Sequence, residues 1–109
     1  MRLDAFEVDK AIRGAVPGDV LMLGDGAHWE IFSYKDELDL YGEGWYATAH
    51  KVEFFEGGEF DSRIRVTIRI GSQYFTKIGR SVSHDGDHWD GPMFESRPRT
   101  RTITEYEAI

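Results

Sequence analysis

The densest set of groups able to do chemistry lies at Ser83-His84-Asp85-Gly86-Asp87-His88-Trp89-Asp90-Gly91, which holds two of the four histidines and three aspartates. Imidazoles and carboxylates are ligands for divalent metals. A metal-dependent hydrolase built on His84, Asp85, Asp87 and His88 is therefore one function open to this chain. The spacing fits no established scheme. A helix-loop-helix calcium loop counted from Asp85 meets Trp89, not an oxygen ligand, at position five and Ser96, not Glu, at position twelve. Two His four apart share a helix face as in zinc peptidases, but Gly86 and the turn-like composition disfavour a helix. Ser83-His84-Asp85 holds the letters of a hydrolase triad, yet a triad needs convergence from separated positions. The same composition suits a solvated hairpin loop, where Asp and Gly supply turn chemistry.

A second candidate is the arginine set Arg63, Arg65 and Arg69, joined by Arg97, Arg99 and Arg101. On one strand face these would hold an anion, and a small-ligand or nucleotide-binding protein is the function they imply. Pairing with Glu53 and its neighbours would use the same side chains structurally. His50 falls at an apolar position, as a hydrogen-bonded core histidine would, and His28 carries no recognisable pattern. Gly24-Asp25-Gly26 and Gly42-Glu43-Gly44 are too short and too acidic to cradle phosphate. Trp29, Tyr41, Trp45 and Trp89 lie near expected turns, where exposed aromatics would suit a protein interface.

Net charge is -7 over 109 residues, and there is no cysteine. Disulfide scaffolds, thiol nucleophiles and Cys-held metals are thereby excluded, and broad tracking of a nucleic-acid backbone is disfavoured. The charge is uneven. Residues 1–61 carry fourteen acids against five bases, and residues 62–109 carry eight bases against six acids. An acidic first part, with Asp36, Glu37, Asp39 and Glu43 close together, suits a partner protein with a basic surface. Asp85, Asp87, Trp89 and Asp90 form a second such segment.

These residues must be positioned by a single domain, 1–109, of α+β, mainly β class. Ala5, Val8, Ile12, Ala15 and Val16 recur at helical spacing, Asp4 is a ready cap, and Pro17-Gly18 ends the helix. Val20–Leu23 and Trp29–Tyr34 read as a hairpin, and 35–44 as an exposed loop or helical turn. Over 45–55 the even positions Tyr46, Thr48, His50, Val52 and Phe54 share one face. Ile64, Val66, Ile68 and Ile70 share one face of the next strand, giving the clearest strand signal of the chain. Matched parity sets Phe54 opposite Ile64, Val52 opposite Val66, His50 opposite Ile68 and Glu53 opposite Arg65. Strands follow over 74–82 and 100–106, with a loop over 83–98 between them. The expected architecture is a short N-terminal helix, then about five to seven antiparallel strands in a small barrel or strongly curved sheet.

The order Tyr74-Phe75, Gly79, Ser83, Asp85-Gly86, Trp89-Asp90-Gly91, Pro98 and a Thr-rich stretch ending Tyr106-Glu107 resembles short phage- and prophage-encoded proteins, many of unassigned function. The resemblance covers about a third of the chain and implies an origin but no reaction. With no convergent catalytic set, the chain reads as a small acidic, non-enzymatic binding protein that occludes a partner. The resemblance adds a phage accessory or host-defence inhibitor as its setting. No cofactor and no membrane association are expected. The N-terminus lacks the apolar run of a signal peptide, which makes the cytoplasm, that of the host if phage-encoded, the expected location.

Overall fold

A computed structural model describes residues 2–57, 62–82, 86–99 and 106–109. Among the described residues there is one helix, α1 (Ala5–Ala15), and two 3₁₀ segments, Val20–Leu23 and Ala27–Ser33. Six strands follow among these residues: β1 (Glu37–Gly42), β2 (Trp45–Glu56), β3 (Arg63–Ile70), β4 (Gln73–Val82), β5 (Gly86–His88) and β6 (Met93–Ser96). All pairings are antiparallel, in the order β1-β2-β3-β4-β5, and β6 also lies against β4. The sheet is curved and open, not a closed barrel. None of the described helices is long and apolar enough to cross a membrane.

The helix forms where its spacing requires. Asp4 accepts from the Glu7 amide and the Glu7 carboxylate accepts from the Asp4 amide, a reciprocal capping box. Val8, Ala11 and Ile12 are its buried stripe, and the extended Val16 before Pro17 ends it. On β3, Ile64, Val66, Ile68 and Ile70 are each at most 5% exposed. They meet Phe75 of β4, Leu38 and Leu40 of β1 and Ala49 of β2 in one core beneath α1 and the second 3₁₀ segment. Full burial of each large apolar side chain contributes about 1.5–3 kcal/mol.

Four sequence expectations are corrected. The hairpin over 20–34 is a pair of 3₁₀ segments, whose entry is shaped by Gly24 and Gly26 at φ 137° and 76°. Trp29 and Phe32 are buried at i and i+3, the spacing of one 3₁₀ turn. Residues 37–42, expected as loop or helical turn, are an edge strand that buries Leu38 and Leu40 and turns Glu37, Asp39 and Tyr41 outward. Over 45–51 the inward face of β2 is the odd one. A bulge between Lys51 and Glu53 reverses parity, so Phe54 alone of the expected even set packs inward. Phe54 therefore stands opposite Val66, His50 stands opposite Arg69 on the outer face, and Val52 is 54% exposed. The expected Glu53–Arg65 ion pair forms at 2.7 Å, though diagonally, since Glu53 is in register with Thr67. Within the segment expected as loop, 86–88 and 93–96 are strands. The expected strand 100–106 falls, except for Tyr106, outside the described residues.

The inner sheet face is not wholly apolar. Lys51 Nζ donates to the Phe32 carbonyl at 2.9 Å, and Lys77 Nζ to the Gly91 carbonyl at 2.7 Å. Gln73 accepts from the Leu3 amide and donates to the Leu3 carbonyl. Lys51 and Gln73 thus hold backbone of the layer above the sheet, while Lys77 holds the segment that bonds to Ile78 alongside β4. The layer is further joined by Asp9 of α1, whose Oδ1 accepts from Trp29 Nε1 and His28 Nε2, both at 2.8 Å. Burial alone would raise the Asp9 carboxyl, but these hydrogen bonds outweigh it and hold it below its ordinary value of 3.8.

Replacing Asp9 by Ala leaves two buried ring N–H donors unsatisfied, and urea denaturation should show a loss of about 3 kcal/mol. The lowered carboxyl also sets a sign. Its stabilisation is present above the ordinary value and is lost as pH falls through the lowered one, so acid titration of Asp9→Ala should lack that step.

Candidate partner-binding surface

β1 is an edge strand, and its outer face is built by a two-residue rhythm. Glu37, Asp39 and Tyr41 stand opposite His50, Thr48 and Tyr46 of β2. Asp39 accepts from the Thr48 hydroxyl at 2.9 Å, and Glu37 lies 3.4 Å from His50 Nδ1. Tyr41 and Tyr46 pack with ring centroids 4.9 Å apart while remaining 71% and 57% exposed. Asp36, just before the strand, contacts Lys51 at 3.1 Å yet is largely exposed. Glu43 occupies the turn between β1 and β2, closed by Gly44 at φ 76°. All four acids of the first expected segment therefore collect along one sheet edge.

Beside this edge runs a groove of about 640 Å³ between α1 and the β1–β2 hairpin. Its floor is small or aromatic, with Ala11, Gly14 and Ala15 facing Gly42 and Trp45, and its rim carries Asp4, Glu7, Glu43 and Lys10. Phe6, on the rim, is 76% exposed. Sequence reading named Tyr41 and Trp45 but missed Tyr46, which the β1–β2 register sets opposite Tyr41, and Phe6 and the small helix residues, which join the surface because α1 packs over β1.

The second acidic segment lies at the opposite side of the sheet. His84 and Asp85 are outside the described residues. Asp87 and His88 are successive residues of β5, opposite Ser81 and Arg80, so their side chains leave on opposite faces. Among the described residues no three His, Asp or Glu converge as a metal site. Trp89 is 1% exposed, wedged over Gly79, where an added Cβ would lie 2.9 Å from its ring, and edge-on to Phe54. It is a wall, not a surface anchor. Asp90 accepts from Arg80.

Trp89 Nε1 donates to Glu30 Oε2 at 2.6 Å. Glu30, Asp87 and Trp89 line a cavity of about 380 Å³ together with Val16, Val20, Leu23 and Ile31. Burial and the facing Asp87 carboxylate raise the Glu30 carboxyl, against the opposing Trp89 hydrogen bond. Two facing carboxyls can share a proton or hold a cation between them. The arginine stripe of β3 is differently engaged. Arg65 binds Glu53 and lies 4.9 Å from the Phe55 ring centre, and Arg69 donates to the Gly71 carbonyl. Arg63 stands opposite Arg80, in a shallow pocket shared with Glu56 and Asp87.

Comparison with protein-family models, curated proteins and solved structures finds no match to this chain.

For Glu30 the sign is opposite to that of Asp9. A raised folded-state value means the native state holds the extra proton, so stability should fall as pH rises from about the ordinary 4.5 through the raised value. Thermal melts across that window should show this slope in the native chain and a flatter one in Glu30→Gln.

Proposed function

We propose that this chain is a small acidic, non-enzymatic binding domain that occludes a partner protein by seating its β1 edge on a basic surface. The observation that carries this reading is the exposed Tyr41–Tyr46 pair set among Asp36, Glu37, Asp39 and Glu43. Solvent-facing aromatics are the side chains that anchor interfaces, and surrounding carboxylates steer and orient a cationic partner. The setting that the resemblance of the C-terminal part to phage-encoded proteins implies is that of an accessory protein or host-defence inhibitor. Asp87 and Asp90, at the far side of the sheet, belong to a separate contact if they take part.

A second reading, a small-ligand binder, is favoured by the Glu30–Asp87–Trp89 cavity over the arginine stripe, because Arg65 and Arg69 already have partners. Native mass spectrometry of gently purified protein separates the two, since a copurifying small molecule belongs only to this one.

Capture from host extract on the immobilised chain, followed by titration of the recovered protein, tests the main reading. Affinity should fall as salt rises, and the Asp39→Asn, Glu43→Gln pair should flatten that dependence. Tyr41→Ala should weaken binding about tenfold. A captured partner whose binding ignores both salt and these variants would refute it.

A further inference from the structure

The backbone of β1 carries information that its side chains do not. The Lys51 amide donates to the Asp36 carbonyl at 2.7 Å, which makes Asp36 and Lys51 a hydrogen-bonded pair. Bonded pairs alternate along an antiparallel ladder. The register then binds Leu38, Leu40 and Gly42 to β2, and turns the N–H and C=O groups of Glu37, Asp39 and Tyr41 away from the sheet. Among the described residues no backbone group bonds to them. The outward backbone groups and the outward acidic side chains therefore belong to the same residues.

We propose that β1 binds its partner by strand addition, accepting an extended segment in which lysine or arginine alternates with apolar residues. This rests on the reading of the β1 edge as the partner surface and specifies its mode. Cross-strand neighbours share a face, so residues opposite Glu37 and Asp39 would lie on the outer face, where a cation meets those carboxylates. The intervening side chains would point inward, toward the groove whose floor is Ala11, Gly14 and Trp45. That floor admits apolar side chains. Main-chain bonds supply affinity in this mode, and alternate side chains supply selectivity. A second copy of the chain is disfavoured, because it would bring a second Glu37 and Asp39 against the first.

The test is titration of the ¹⁵N-labelled full chain with a blocked peptide alternating lysine and valine. Two further peptides complete it, one with glutamate for lysine and one N-methylated at its lysines. The lysine peptide should bind, slow amide exchange at Glu37, Asp39 and Tyr41, and weaken with Asp39→Asn. N-methylation keeps the charge but removes the donors facing β1, and should weaken binding about tenfold or more. The glutamate peptide should not bind. Equal binding of the methylated and unmethylated peptides would overturn strand addition while leaving the acidic surface as the partner site. Failure of both, or protection confined to β4, β5 or β6, would overturn the inference, and the salt-dependent capture above judges the broader reading separately.

Discussion

Everything in this molecule depends on how a helical layer is held to a sheet whose inner face is partly polar. The Asp9 carboxylate is the fastener. By accepting from both His28 and Trp29 it joins α1 to the second 3₁₀ segment, which have no covalent reason to meet at a fixed angle. That angle places Trp29 and Phe32 in the core. One residue beyond Trp29 it places Glu30 against Trp89. The helix face that completes the groove beside β1 is set by the same junction. Both candidate sites are thus consequences of one partly buried carboxylate, although neither contains it.

The inward lysines and Gln73 carry this logic into the sheet. A lysine nine-tenths buried must satisfy its ammonium, and Lys77 does so on a carbonyl of the Trp89–Pro92 crossing. Burial keeps its amine below the ordinary value of 10.5, while Asp9, Asp90 and Asp25 oppose that shift. The strand therefore fixes the path of the chain that runs beside it. Trp89 follows from that path, because Gly79 leaves the hollow into which its ring fits and Gly26 allows close approach of its carbonyl.

Local signals were readable where one residue pattern had one solution. The capping residues and stripe of α1 and the alternation of β3 are of this kind. β1 was misread because an edge strand with acids on its open face has the composition of a loop, and only Leu38 and Leu40 mark it otherwise. The parity of β2 was reversed over its first half by a single extra residue near Val52, which no spacing announces. Trp29, Glu30 and Ile31 alternate as a strand would, but Phe32 breaks the alternation and is buried with Trp29 at 3₁₀ spacing, where Asp9 accepts from the Trp29 ring. A signal for the clamps did exist, since Gln73, Phe75, Lys77 and Gly79 share the inward parity of β4 and two of them are polar. Of the candidate partner surface, the β1 acids and Tyr41 were legible, whereas Phe6 and the small residues of α1 are brought there by tertiary packing from far along the chain.

The outer side of β4 is shared by two short strands, β5 of three residues and β6 of four, separated by the Trp89–Pro92 crossing. A strand can template another only along an uninterrupted row of free backbone groups. On this side the row is broken in the middle. Growth of a filament by stacking sheets edge to edge requires two competent edges per molecule, and among the described residues the side opposite β1 ends in strands of only three and four residues. Pairing between sheets is therefore favoured at β1 over the far side, an asymmetry that works against head-to-tail growth.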